Sequence, residues 1–144
     1  MKPIILLLAL ITPLLARIGE TPEQCHARYG DGSPFVPSPH NDAIYQKAGM
    51  EIIVAFREGK CVMIIYERKQ KFSDAEINQL QRSNHSGRWK VIERDFRTVV
   101  WESSNGVMHS AVIGGNRLMV TTVAEMERLK KERKAREIEA LEGL

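Results

Sequence analysis

The strongest pattern in this chain is a pair of apolar, β-branched runs within residues 49–68, separated by a polar break at Arg57-Glu58-Gly59-Lys60. Two such runs around a short break that contains glycine predict a β-hairpin. Apolar side chains occupy both alternating sets of positions in the runs, so both faces of the hairpin are apolar. This favours a central strand pair, or a pair whose second face meets a partner.

The register of this hairpin depends on its turn, and two turns fit the sequence. A two-residue turn at Glu58-Gly59 gives the pairs Phe56–Cys61, Val54–Met63 and Ile52–Ile65. A three-residue turn with a glycine bulge instead sets Phe56, Val54 and Ile52 beside Val62, Ile64 and Tyr66. A slip of one residue moves the whole apolar set of a strand to the other face. Because the bulged form places charged Lys60 opposite Phe56, we favour the two-residue turn.

Capping residues and periodicity predict the remaining elements. Thr21 with Gln24, and Ser73 with Glu76, have capping-box spacing, which indicates helices at residues 21–29 and 73–82. Alternating or β-branched stretches bounded by turn residues predict strands at 43–47, 89–93, 98–102, 107–113 and 117–122. A charged helix is predicted over 123–144.

The two halves repeat one order of elements: a capped short helix, a strand and a hairpin. A shift of 56 residues superposes Ala55 on Ala111 and Gly59 on Gly115, and it sets Tyr45 on Trp101. We therefore predict a tandem α-β-β-β repeat, with units 19–70 and 71–122 in one domain of residues 17–122. The fold class is α+β: an antiparallel sheet of about six strands, short helices on one face, the other face partly open, and a long C-terminal helix.

The N-terminal stretch has the form of an export signal. Lys2 precedes an apolar run over residues 4–15, and Ala16 offers a small residue for cleavage. This arrangement predicts a signal peptide at residues 1–16 and a secreted or periplasmic protein without stable membrane insertion after cleavage. An uncleaved N-terminal anchor is the alternative. The net charge of +3 and the absence of an aromatic-basic stripe argue against a nucleic-acid partner.

The chain has two cysteines, Cys25 and Cys61. In an exported protein such a pair predicts one disulfide bond. Two free, buried thiols are the alternative.

Motifs that carry metal, phosphate or redox chemistry are missing from the sequence. There is no HExxH pattern, no phosphate-binding glycine loop and no CxxC pair, and the histidines are scattered. We therefore expect no cofactor, no metal and no catalytic residues. The aromatic residues offer a different hypothesis, since Trp and Tyr concentrate at interface hot spots. If they line the open face of the sheet, they would bind a protein or peptide; the four strand aromatics are Tyr45, Tyr66, Trp89 and Trp101.

The order Gly19-Glu20-Thr21, a short helix ending at Tyr29-Gly30, an aromatic strand and then Phe56-Arg57-Glu58-Gly59-Lys60 resembles the helix-plus-hairpin unit of small outer-membrane assembly lipoproteins. In tandem, it resembles the β-lactamase-inhibitor-protein-like fold. Residues 17–30 also look like the mature start of small exported bacterial proteins of unknown function. The chain lacks a lipidation cysteine, and no inhibitor residues align. The resemblance to these exported proteins implies no activity, and no function carries over residue by residue. We predict an exported, non-catalytic protein-binding or envelope-associated module that acts through its sheet face or an edge strand. A soluble inhibitor of a secreted hydrolase, suggested by the fold resemblance, and a small periplasmic enzyme are the alternatives.

Overall fold

A computed structural model describes residues 17–30, 33–34 and 42–143. Within these residues, eight antiparallel strands form one open sheet in the spatial order β1-β2-β3-β4-β8-β7-β6-β5. The strands are Ser33–Pro34 (β1), Ala43–Lys47 (β2), Met50–Arg57 (β3), Lys60–Glu67 (β4), Trp89–Arg94 (β5), Thr98–Ser103 (β6), Met108–Ile113 (β7) and Arg117–Thr122 (β8). The predicted α+β class with an antiparallel sheet is confirmed. The predicted signal peptide, residues 1–16, lies outside the described residues.

The β3–β4 hairpin combines features of both predicted registers. Its turn has two residues, Glu58 and Gly59, which have φ values of 52° and 73° and connect the pairs Arg57–Lys60 and Phe56–Cys61. A bulge then skips Val62, so that the pairs further along the hairpin are Val54–Ile64 and Ile52–Tyr66. The bulge adds one residue to β4 and thereby keeps apolar side chains of both strands on the core face.

Two short helices have the caps that the sequence predicts. Helix α1, Pro22–Tyr29, and helix α2, Asp74–Asn84, each begin with a complete capping box, formed by Thr21 with Gln24 and by Ser73 with Glu76. In such a box the side chains satisfy backbone N–H groups that have no partner within the helix.

The core lies between these helices and one face of the sheet. Cys25 and Tyr29 of α1, and Ile77 and Leu80 of α2, pack with alternate side chains from the strands. The strand contribution comprises Ala43, Tyr45, Ile52, Val54, Phe56, Cys61, Ile64, Tyr66, Val112, Leu118 and Val120. Burial of such aliphatic and aromatic side chains is the main favourable contribution to folding.

The sheet has an approximate internal symmetry about the β4–β8 pair. Ile64 of β4 lies opposite Val120 of β8, and these two residues are 56 positions apart. Strands β3 and β7 flank this central pair, and β2 and β6 flank those in turn. The topology therefore has the order of two α-β-β-β units, each with an additional edge strand after its helix: β1 in the first unit and β5 in the second. Descent of the units from one duplicated segment stays a prediction.

The symmetry does not extend to the predicted match of Tyr45 with Trp101. Tyr45 pairs with Ile52, whereas Trp101 pairs with Ser110, the residue 56 positions after Val54. The turn between β2 and β3 contains two residues, and the loop between β6 and β7 contains four. The longer loop displaces β6 by two residues, so Trp101 occupies the position that Ala43 has in the first unit.

Among the described residues, helix α3, Val123–Glu142, is anchored near its start. Thr122 caps it, and the Glu125 side chain is buried, with its carboxylate 3.0 Å from an Arg57 nitrogen of β3 and 2.6 Å from an Arg128 nitrogen. Residues 133–143 are all exposed. No helix in the described part of the chain combines the length and apolar character that a membrane span requires.

Candidate binding surface

The structure buries two of the four aromatic residues predicted to bind a partner. Tyr45 is 2% exposed and Tyr66 is fully buried, both between the sheet and the helices. The Tyr45 hydroxyl makes a 2.8 Å hydrogen bond with Nδ1 of His26, and burial raises the pKa of both tyrosines. Neither side chain can contact a partner at the surface, so this part of the prediction needs correction: alternation along β2 and β4 directs both rings into the core.

Trp89 and Trp101 are half-buried, but they lie on the face of the sheet that carries the helices. Both pack against the core, and together with Asn78, Gln81 and Arg82 of α2 they line a cleft of about 640 Å³. The proposed cluster of aromatics on the opposite face is therefore absent from the described residues. Contact of these two tryptophans with a partner stays a prediction.

Cys25 and Cys61 are both buried, and in this structure they are free thiols. The predicted disulfide is thus not formed here, and the Cys61 thiol donates a hydrogen bond to the Met63 carbonyl oxygen, 3.8 Å away. Interaction with the Cys61 thiol lowers the pKa of Cys25. Interaction with the Cys25 thiol, together with burial, raises the pKa of Cys61. Backbone bonds from Gly19 and to Glu20 hold the N-terminal segment against Cys61.

A second cleft, of about 750 Å³, lies beside α2. Its described lining consists of Arg17, Ile18, Ala75, Asn78, Gln79, Arg82, Ser83, Asn84 and Ser86. These residues supply cationic, amide and hydroxyl groups but include no carboxylate, histidine or thiol that could act as a base beside a nucleophile. Within residues 17–30 and 42–143, no three His, Cys, Asp or Glu side chains come together as metal ligands.

The face of the sheet opposite α1 and α2, here called the open face, carries a continuous apolar row. Cross-strand pairing aligns one residue from each of six neighbouring strands, and these are Ile44, Ile53, Ile65, Met119, Ala111 and Val100. Each alternates with core residues of its strand, so the row projects away from the core. Ala111 is buried and the other five side chains are half-buried. With strands about 4.8 Å apart, the row extends roughly 24 Å.

Polar side chains border this open-face row on one side. Gln46, Glu51, Glu67 and Arg117 form the next aligned row across β2, β3, β4 and β8. Gln46 donates to the carboxylate of Glu51 at 3.1 Å, and Arg117 lies 2.8 Å from that of Glu67. An apolar centre beside a charged border has the anatomy of a protein interface.

The open-face row was not identified from the sequence, although part of the signal was present. The hairpin at residues 49–68 is apolar on both faces, which already indicated a second covered or contacted surface. The rest of the row could be predicted only by knowing that β4 pairs with β8, because that contact brings Met119 beside Ile65.

Comparison with known proteins identifies no relative of this chain. The chain matches no protein-family model, no curated protein and no solved structure.

Proposed function

We propose that this chain is a non-catalytic, exported protein-binding module, associated with the cell envelope, and that it binds its partner through the open face of the sheet. The observation that carries the proposal is the apolar row across six strands. A sheet face that contacts only water usually carries polar residues at alternate positions. Here five of the six row residues are large aliphatic side chains, all of them partly exposed to solvent.

The shape of the surface favours a protein over a small molecule. Small-molecule sites are concave and enclose most of their ligand. The open-face row is an extended strip across a twisted sheet, whereas the clefts described above lie beside α2, away from this face. A strip of this length with a charged border suits a partner that buries about 800 Å² on each side.

Export is the second component of the proposal, and it has support from two features of the chain. The first is the signal-like N-terminus of residues 1–16. The second is the burial of Cys25 and Cys61 in one core cluster, although these only cysteines of the chain are far apart in sequence. Such an arrangement suits a compartment in which disulfide bonds form.

The binding surface can be tested with matched pairs of variants. Ile65→Thr with Met119→Thr makes the centre of the row polar while retaining strand propensity. Gln79→Ala with Arg82→Ala is the control, because these exposed residues of α2 lie on the opposite side of the sheet, outside the row and its border. A partner first captured from envelope extract with the mature chain is then purified, and its affinity for each variant is measured by calorimetry.

We expect the row variant to bind at least tenfold more weakly, about 1.4 kcal/mol, and the control to bind like the unmodified chain. Thermal melting monitors the folding of each variant. If a folded row variant binds the partner as tightly as the control does, the open face is not the binding surface and the proposal fails.

A further inference from the structure

The two edges of the sheet differ in their capacity to pair with another strand. At one edge β1 has only two residues, and one of them is Pro34, which lacks an N–H group. At the other edge β5 has six residues, and no described strand pairs with its outer side. Apolar side chains are exposed there: Val91 is 40%, Ile92 48% and Phe96 95% exposed. A long, exposed apolar edge of this kind is a template for strand addition.

A bulge gives β5 an unusual arrangement of side chains. Lys90 pairs with Glu102 and Val91 with Trp101, but the next pair joins Glu93 to Val100, so Ile92 is skipped. Glu102 and Val100 are two residues apart in β6 and project to the same face. Lys90 and Glu93 consequently share the open face, although a regular strand would direct residues three apart to opposite faces.

This arrangement makes β5 complementary to itself in the antiparallel direction. Consider a second copy of the chain, related to the first by a two-fold axis. The axis is perpendicular to the sheet and passes between Val91 and Ile92. Lys90 then faces Glu93 of the second copy, and Val91 faces Ile92 of the second copy. Because the axis generates each contact twice, one interface contains two Lys–Glu pairs around an apolar centre. Trp89 and Arg94 of the two copies then face each other in the same way on the other side of the sheet, and this pairing of residue types can form a cation–π contact.

We propose that the chain forms a symmetric homodimer through antiparallel β5–β5 pairing. The dimer has one continuous sheet of sixteen strands, in which the open faces of both copies lie on the same side. Lysine and bulges on an edge strand normally prevent indiscriminate pairing. In β5 these features exclude other registers while the self-complementary register remains favourable. Since a six-residue edge buries less area than a standard interface, the dimer should be weak and should form in the micromolar range.

Charge reversal provides a sharp test, because the two positions are exposed and distant from the core. In K90E and in E93K, like charges oppose each other at both ends of a homodimer. In an equimolar mixture of K90E and E93K, every contact of the heterodimer again joins opposite charges. The double variant K90E/E93K restores complementarity within a single chain.

Sedimentation velocity across the micromolar range measures the dimer, and energy transfer between differently labelled variants measures the heterodimer. We expect the unmodified chain and the double variant to dimerise, each single variant to dimerise at least tenfold more weakly, and the mixture to recover the affinity. A monomeric unmodified chain, single variants that dimerise normally, or a mixture that does not recover would each overturn the proposal. The open-face test above is independent, since its variants do not alter β5.

Discussion

Oxidation of Cys25 and Cys61 should stabilise the fold strongly. The two thiols are buried in one core cluster, where each shifts the pKa of the other, so a disulfide would join α1 to β4. The bond would close a loop of about 37 residues, and the chain-entropy relation gives a stabilisation of about 4 kcal/mol for that length.

The assay is urea unfolding of the same chain in its oxidised and reduced forms, followed by circular dichroism. Mass shifts after thiol alkylation establish the redox state of each sample. The variant Cys25→Ala with Cys61→Ala is the control, and its unfolding should not respond to reductant. The reasoning is refuted if both thiols remain alkylatable in the folded protein under an oxidising glutathione buffer, or if the oxidised form is no more stable than the reduced one.

Three further predictions concern stability. Glu58→Asn should raise the free energy of unfolding by about 0.5–1 kcal/mol, because Glu58 has a positive φ that asparagine tolerates better; an unchanged urea midpoint would contradict this. Glu125→Ala should lower the free energy of unfolding by about 2–3 kcal/mol, because it removes a buried carboxylate from between two partly exposed arginines. As a control, Glu127→Ala at an exposed position of the same helix should change the free energy of unfolding by less than about 0.5 kcal/mol. Equal effects of the two substitutions would show that Glu125 does not anchor α3. The hydrogen bond from Arg68 lowers the pKa of Glu76 to about 2 from 4.5. Its stabilising contribution is therefore complete above pH 4.5 and is lost as the pH falls toward 2, and Glu76→Gln should reduce the slope of stability in that window.

Local signals in the sequence predicted most of the secondary structure. The capping boxes at Thr21 and Ser73 placed the starts of α1 and α2, and Gly59 placed the turn of the first hairpin. These features depend on hydrogen bonds and dihedral angles within a few residues, which is why a single sequence reveals them.

Features that depend on contacts between distant segments were predicted less well. The bulge at Val62 resolves a choice that the turn alone could not decide, because it depends on the side chains that α1 and α2 require in the core. The aromatic hypothesis failed for Tyr45 and Tyr66 for a related reason. Alternation shows that residues share a face, but only the packed structure shows which face the helices cover.

The open-face row could not be predicted from the sequence for the same reason, because it depends on contacts between distant segments. Its two halves belong to hairpins that are separated by α2 and β5 in sequence, and they meet only where β4 pairs with β8. Sequence alternation could identify Ile53 and Ile65 as a second apolar surface, but not its continuation through Met119. The candidate site is thus a product of the sheet order and not of any local motif.

Site-specific photo-crosslinking in the cells that produce the protein can show whether the open face binds a protein partner. A photoreactive amino acid at Met119 lies in the open-face row, and one at the exposed Gln79 of α2 lies on the opposite side of the sheet. Binding through the open face should give one discrete protein adduct from position 119 and none from position 79. Adducts of equal intensity from both positions, or none from position 119, would contradict it.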